Sequence, residues 1–357
     1  MVLYEVAESP LQVRVRRPVI AVIIPARNEV DVVGQSVASL LRQSCVDALH
    51  IFVVDDNSVD GTAEAVWRSA AQSSQGERVT VISAGPLPSG WSGKLWAVQQ
   101  GIEQAALQHP EFFLLTDADI EHSPENVAAL VQIAEAGDYD LASFLVKLHC
   151  HSLAEKLLIP AFVFFFFMLY PPKWIRNPRR KTAGAAGGCM LIRPAALDRA
   201  GGISAIRQEI IDDCALARAV KRSGGKVWLG LTAETRSLRA YHTFGEIERM
   251  VARTAFNQLR HSAWLLLGTV LGMLLIFVLP LALLASRSRL LAMIGGAAYL
   301  LISAAYLPKV RFYQLSPLWA LTLPFSAMFY LVATVHSALE YWSGRGGEWK
   351  GRTQDAL

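Results

Sequence analysis

The sequence predicts an α/β unit built on a mainly parallel sheet, followed by transmembrane helices. Three observations predict it. Short apolar runs ending in acidic or polar residues alternate with segments of helical period from Val19 to Leu231. From Trp264 onward, charge disappears over three long stretches. The chain of 357 residues is 53% hydrophobic and 18% charged, with mean hydropathy +0.32, too apolar for an ordinary soluble protein.

Val19 to Ile24 is the first strand, ending at Pro25-Ala26-Arg27-Asn28-Glu29. A helix follows, with Val33, Val37, Leu40 and Leu41 at helical spacing. His50 to Val54 is a second strand, ending in Asp55-Asp56-Asn57-Ser58. Asp60-Gly61-Thr62 opens a helix through Ala71, with Asp60 or Ser58 as N-cap. Val79 to Ile82 is a third strand, and the loop Gly85 to Gly93 precedes a helix from Lys94 to Ala106. Phe112 to Leu115 is a short buried strand that ends in Thr116-Asp117-Ala118-Asp119. Strand and helix alternating at this spacing imply right-handed crossovers and a parallel sheet.

A helix then reaches Ala136, and a strand covers Asp140 to Val146. Residues 157–172 are uncharged and include Phe164-Phe165-Phe166-Phe167. That is short for a span, which needs about 20 apolar residues, and its aromatic density fits a membrane-interface segment. Lys173, Arg176, Arg179, Arg180 and Lys181 follow, suited to lipid headgroups or a phosphate. Ala183 to Gly188 is a small-residue loop leading to the strand Cys189 to Ile192. Asp212-Asp213 precedes a helix, Cys214 to Arg222, that Gly224-Gly225 ends. Val227 to Leu231 is the last strand, and Ile247 to Arg260 is amphipathic and basic.

Residues 264–342 carry three uncharged stretches, Trp264 to Ala285, Leu290 to Pro308 and Phe312 to Val335, expected as three membrane helices. Residues 343–357 form a polar tail. If all three cross, Arg249, Arg253, Arg260, Lys309 and Arg311 face Arg287, Arg289, Arg345, Lys350 and Arg352 across the bilayer, five against five. Charge then gives no orientation. Residues 1–18 are an extension with Arg14, Arg16 and Arg17 and no apolar core, so no export signal is visible. The expected location is therefore the inner (plasma) membrane, multi-pass, with the α/β unit in the cytoplasm. Net charge is +4, from 34 basic and 30 acidic residues, which suits an anionic leaflet and gives no case for nucleic acid. Cys45, Cys150, Cys189 and Cys214 have no metal-like spacing and read as reduced thiols. His149-Cys150-His151 on a strand would point to opposite faces.

Four acidic clusters fall at strand ends or helix starts: Glu29, Asp55-Asp56, Asp117 with Asp119, and Asp212-Asp213. The carboxyl ends of such strands are where open α/β sheets bind ligands. A core has no use for that many carboxylates, since unpaired buried charge is expensive. A nucleotide and metal site does: one carboxylate accepts from base or ribose, an Asp-x-Asp pair holds a hard divalent cation, Mg²⁺ or Mn²⁺, and a later carboxylate serves as general base. Lys94, just after a Gly-rich loop, adds positive charge.

These motifs resemble those of family 2 glycosyltransferases. Ile24-Pro25-Ala26-Arg27-Asn28-Glu29, Val53-Val54-Asp55-Asp56-Asn57-Ser58-Val59-Asp60-Gly61-Thr62, Gly93-Lys94, Thr116-Asp117-Ala118-Asp119 and Asp212-Asp213-Cys214-Ala215-Leu216 occur in that family's order across residues 19–260. The resemblance implies a GT-A fold, a nucleotide-sugar donor, taken as UDP-linked, and inversion at the anomeric carbon. It implies a nucleotide site of Pro25, Ala26, Glu29, Asp55, Asp56, Lys94 and Asp117. It assigns Asp119, with Asp117 nearby, to diphosphate and metal, Arg253 to the diphosphate, and Asp213 to the base. Gly187, Gly188 and Asp212 fall in the acceptor region.

Gly90-Trp91-Ser92-Gly93-Lys94, the phenylalanine run, Ala185-Ala186-Gly187-Gly188, Met250-Val251-Ala252-Arg253-Thr254 and Trp349-Lys350-Gly351-Arg352 are similar to hopene-associated glycosyltransferases. This implies a lipid acceptor of hopanoid type. Members of that group often carry an N-terminal span, which residues 1–18 do not supply. Processive members of the family carry Gln-x-x-Arg-Trp where this sequence has Met250-Val251-Ala252-Arg253-Thr254. Only the arginine is kept, so a single transfer is expected. The alternatives are transfer to a polyprenyl phosphate and an inactive membrane component on the same fold. A nucleotidyltransferase would want a Gly-rich basic loop near its start, which Ala26 to Glu29 does not provide.

Overall fold

The computed structural model describes residues 18–44 and 48–344, and the backbone of 348–349 and 352–353. Residues 1–17, Cys45 and the side chains of the tail, including Arg345, Trp349, Lys350 and Arg352, lie outside the described residues.

Eight strands form one mixed sheet: β1 (Ile20–Ala26), β2 (Leu49–Asp55), β3 (Val79–Ser83), β4 (Phe112–Leu115), β5 (Ile120–Glu121), β6 (Leu141–Lys147), β7 (Met190–Ile192) and β8 (Val227–Ser237). Their order is β3-β2-β1-β4-β7-β6-β8-β5. The first half, β3 to β4, is parallel throughout, in register Ile20 to Leu49 and Ile20 to Phe112. The strand β7 runs antiparallel between β4 and β6. It follows the small-residue loop, and its reversal carries Gly187-Gly188 back to the carboxyl end of β4.

Helices cover both faces. On one side lie α1 (Val33–Leu41), α2 (Thr62–Ala71) and α4 (Asn126–Ala136); α3 (Gly93–Ala106) packs on the other. Strand alternation sorts the core: Ile20, Val22 and Ile24 face the first group, Ala21 and Ile23 the second. All five are completely buried. The helix α2 is not capped by Asp60 or Ser58 in the expected way. Gly61 takes the N-cap place at φ 93°, and the Asp60 carboxylate accepts from Thr62 N–H two residues on.

The second group is completed by α5 (Leu153–Leu169) and α8 (Asp212–Arg222), with the short α6 (Pro172–Arg176) and α7 (Pro194–Arg199) between them. A capping box of Ser152 and Glu155 starts α5. Its residues Ile159, Val163 and Phe167 join the sheet core. Phe164 and Phe165 turn to the opposite side, where they meet Tyr306, Phe277 and Tyr330 edge to face. The phenylalanine run therefore joins two packed layers.

Beyond β8 come α9 (Phe244–Gln258), α10 (Ala263–Met273), a π turn (Leu274–Val278), α11 (Leu279–Leu284), α12 (Arg289–Phe312), a 3₁₀ turn (Pro317–Thr322) and α13 (Leu323–Trp342). Proline explains the last break: Pro317 and Pro324 each stand in the first turn of their helix. Among the described residues, four helical segments are long and apolar enough to cross a membrane: Leu153–Arg176, Ala263–Leu284, Arg289–Phe312 and Pro317–Trp342.

Candidate active site

The strand ends of the first half-sheet and the start of α8 converge on one open recess. Pro25, Lys94, Asp117, Gly187 and Asp212 stand around it, over a floor that includes Leu95, Val98, Leu115, Met190 and Leu216. Residues singled out from widely separated stretches of the sequence, from Pro25 to Asp212, are thus neighbours.

Lys94 is the hinge of this group. Ser92 caps α3 by accepting from Leu95 N–H, which sets Lys94 in the first turn. Its Nζ lies 2.9 Å from Asp117 Oδ1 and 3.0 Å from Asp212 Oδ2. Burial opposes the charge on Lys94, but the two carboxylates outweigh it and hold the ammonium well above its usual range. Asp117 moves the other way. Burial pushes it up, and Lys94 beside it, with help from Arg239 and Arg253, brings it below the ordinary carboxylate value.

Asp213 has the opposite fate. Burial comes first and the Asp212 carboxylate second; together they push it up to about 6. Two N–H groups hold it in place: Gly187 donates to Oδ2 at 2.9 Å and Cys214 donates to Oδ1 at 2.6 Å. A Cβ at Gly187 would lie 3.6 Å from Asp213 Oδ2 and 3.7 Å from Asp117 Oδ2. The two carboxylates therefore flank the same small space, which the missing side chain leaves open. A carboxylate poised near neutrality beside an ionised one can accept a proton while its neighbour stays charged.

The loops after β1 and β2 are clasped together. Asn28 and Asn57 both adopt left-handed backbone, at φ 52° and 54°, a conformation asparagine tolerates. Asn28 N–H donates to Ser58 Oγ, and Val59 N–H donates to Asn28 Oδ1. Ser58 donates to Asp55. Asp56 is 1% exposed and faces Arg27, and its N–H donates to Ala26 O. Of the adjacent acids, Asp55 is the more exposed.

Asp119 and Glu29 share a partner that sequence reasoning missed. Arg239 Nε donates to Asp119 Oδ2 at 2.9 Å, and its Nη2 donates to Glu29 Oε1 at 2.8 Å. Asp119 and Glu29 outweigh the burial that opposes this guanidinium and hold it above its ordinary range. The apolar pattern ends the last strand at Leu231, whereas β8 runs to Ser237 and carries Arg239 to the site through Leu238 N–H donating to Asp119 O. No local pattern marks Arg239, since its partner Glu29 lies 210 positions away. A second omission is the buried network behind Thr116. Thr116 Oγ1 donates to Gly188 O at 2.7 Å and lies 3.0 Å from His122 Nε2, and the other ring nitrogen meets Asn126. Burial pulls His122 down to about 3, so the ring is neutral. This network ties the carboxyl end of β4 to the glycine loop.

Asp117 and Asp119 thus point to different cations, Lys94 and Arg239. Among the described residues, no three His, Cys, Asp or Glu side chains converge as a metal cage. The donor set still suits a hard cation, because Mg²⁺-type sites often take one or two carboxylates and complete their shell with substrate phosphates and water. One oxygen of each carboxylate, Asp117 Oδ2 and Asp119 Oδ1, lies outside these ion pairs.

The sequence matches the model of glycosyl transferase family 2 over residues 21–201. It is similar to an uncharacterized protein, MJ1222, of Methanocaldococcus jannaschii, 29% identical over 123 residues that make up 34% of this chain and 44% of that one. It is also similar to an undecaprenyl-phosphate 4-deoxy-4-formamido-L-arabinose transferase of Pseudomonas savastanoi, 29% identical over 128 residues, 34% of each chain. The chain thus spans less than half the length of the curated relatives it matches. Among solved structures, the mannosyltransferase PcManGT of Pyrobaculum calidifontis, in complex with GDP-Man and Mn²⁺, superposes with TM-score 0.54 at 18% identity, covering 92% of this chain and 91% of that one.

Proposed function

Since the chain belongs to glycosyl transferase family 2 and has the GT-A fold, we propose that it moves one sugar from a nucleotide-diphosphate donor to the hydroxyl of a membrane lipid, with inversion. The observation that carries the proposal is Asp213, pushed up to about 6 and facing Asp117 across the space at Gly187. The loops at Pro25, Ala26, Glu29 and Asp55 take the nucleotide, a UDP-linked one on the motif resemblance, with Asp56 fixing their shape from behind. Asp213 accepts the proton of the acceptor hydroxyl as that oxygen bonds to the anomeric carbon. The bond from that carbon to the diphosphate oxygen breaks on the opposite face, and the nucleoside diphosphate leaves. Arg253, whose charge reaches Asp117, and Lys94 receive it. Asp119 and Asp117 would hold Mg²⁺ or Mn²⁺, which when bound neutralises diphosphate charge as a Lewis acid. Gly187, Gly188 and Asp212 border the acceptor's approach.

The hopanoid class of acceptor rests on the resemblance at Gly90 to Lys94, Ala185 to Gly188 and Met250 to Thr254. A polyprenyl phosphate is the second acceptor to test, because one relative is an undecaprenyl-phosphate sugar transferase. The setting we propose is the inner membrane, with the α/β unit in the cytoplasm. The direct test is Asp213→Asn: transfer to extracted lipid is expected to vanish while nucleotide-sugar binding persists. Unchanged turnover in that variant would overturn the role of Asp213.

A further inference from the structure

Each acid of the Asp117-Ala118-Asp119 pair already has a cation of this chain beside it, and the two cations are held differently. Lys94 reaches Asp117 and Asp212 from the first turn of α3, within the recess, with 23% of its side chain exposed. Arg239 lies over Asp119 and Glu29 from the solvent side: 39% of its side chain is exposed, against 12% and 13% for the two carboxylates. Its Nε and Nη2 both point to them, at 2.9 Å from Asp119 Oδ2 and 2.8 Å from Glu29 Oε1. Asp119 Oδ2 also accepts from Ser237 Oγ at 3.3 Å. The charge of Arg239 reaches Asp117 as well.

The backbone under this arginine is fixed, whereas the side chain is long and partly exposed. Leu238 N–H donates to Asp119 O at 2.7 Å, and Arg239 N–H donates to Ser237 Oγ at 3.2 Å. Arg239 itself sits in the link between β8 and α9, outside both. Turning the guanidinium away from the carboxylates therefore needs rotation of the side chain and no shift of the backbone. A divalent cation on Asp119 with the guanidinium in place would set like charges against one carboxylate, where they repel. A diphosphate reverses that balance. It brings negative charge, and the planar fork of an arginine matches phosphate oxygens as well as it matches a carboxylate.

We propose that Arg239 is a built-in counter-ion that the donor displaces. In the donor-free chain it occupies Asp119 and Glu29 and disfavours a lone divalent cation there. When a nucleoside diphosphate enters, the guanidinium turns to the diphosphate and leaves Asp119 to the cation and Glu29 to the nucleotide. Donor binding and cation binding then favour each other, because such coupling is reciprocal. The inference rests on the donor site proposed above, and it gives Arg239, which no sequence motif marked, a part in loading that site.

The test needs no transfer assay. Mn²⁺ alone is titrated into the purified full chain in detergent and followed by the paramagnetic resonance of the free ion. UDP and GDP are titrated separately in EDTA and followed by calorimetry. Arg239→Gln is expected to bind Mn²⁺ about tenfold more tightly than the unsubstituted protein, and to bind the nucleoside diphosphate about tenfold more weakly. The two shifts have opposite signs, whereas an arginine that only held the rim in shape would weaken both on removal. Adding Asp119→Asn to Arg239→Gln is expected to abolish the gained Mn²⁺ affinity, and its survival there would overturn the assignment. Unchanged Mn²⁺ affinity in Arg239→Gln, or two affinities that fall together, would overturn the exchange and leave the donor site standing. Failure of both nucleotides to bind either protein would overturn the donor site and the exchange with it. Should Arg239→Gln fail to fold, Arg239→Lys takes its place: an ammonium keeps the charge without the fork, so smaller shifts in the same two directions are expected, and their absence would overturn the proposal.

Discussion

At the residue scale, two aspartates that flank Gly187 are driven apart in acidity. Asp117, held by Lys94, stays ionised, while Asp213, half-buried beside Asp212 and bonded by two N–H groups, rises to about 6. Below that value Asp213 holds a proton and cannot accept another. Transfer is therefore expected to climb as pH rises through about 6 and to level off above it. A pH–rate profile flat from about 5 to about 8 would remove Asp213 from the reaction. Arg239 makes a second case. It is the shared partner of Glu29 and Asp119, so Arg239→Leu leaves two carboxylates facing each other at the rim. The donor-free protein is expected to melt at lower temperature, with Arg239→Lys restoring only part, because an ammonium cannot reproduce the forked contact. Thermal melts of the three proteins decide it. The acids themselves were legible in the sequence, since each ends a strand or opens a helix. The cations that hold them were less so: Lys94 stood next to a Gly-rich loop, but Arg239 comes from a strand that runs on to Ser237, well past the end of its apolar run.

At the element scale, strands were readable where the apolar run was continuous, as in β1, β2 and β4. The later part of β8 was not, because Glu234 and Arg236 alternate with buried Thr235 and Ser237 and break the hydrophobic signal. The phenylalanine run shows the reverse difficulty. Its apolarity suggested a membrane-interface segment, and in the structure the rings pack in part on the sheet core and in part on α12 and α13. Composition alone does not distinguish a residue facing lipid from one facing another apolar helix. Close packing of α11 on α12 can be probed directly. A methyl at Gly295 meets backbone atoms of α11 that no rotamer change can move, whereas one at Gly296 meets only Leu284 Cδ1 at 3.4 Å. Gly295→Ala is expected to lower the melting temperature in detergent and Gly296→Ala to leave it nearly unchanged. Equal melting temperatures would show that the two helices part without cost.

At the scale of the whole molecule, the sheet order explains how distant motifs meet. Antiparallel β7, inserted between β4 and β6, returns the glycine loop to the end of β4, and α8 then opens beside it. The alternation of strands and helices along the chain indicated the parallel half correctly. It carried no sign of the reversal, because a three-residue strand after a small-residue loop has too few side chains to show a direction. Below the sheet, α5 and α9 join the recess to the C-terminal apolar helices. Arg253 on α9 reaches the active site through its charge on Asp117. Glu155 on α5 reaches the segment after β8 by accepting from Tyr241 N–H at 2.7 Å. In the proposed reaction, a water-soluble donor is in this way held beside an acceptor delivered from the bilayer.

The central claim is single, inverting sugar transfer to a lipid. The most direct measurement is to incubate the purified full chain in bilayers with labelled nucleotide sugars and each acceptor class, then extract the lipid and determine the anomeric configuration of the product. One sugar per lipid, with configuration opposite to that of the donor, is the expected result. Retained configuration, or label that never enters the lipid phase with any donor, would contradict the account.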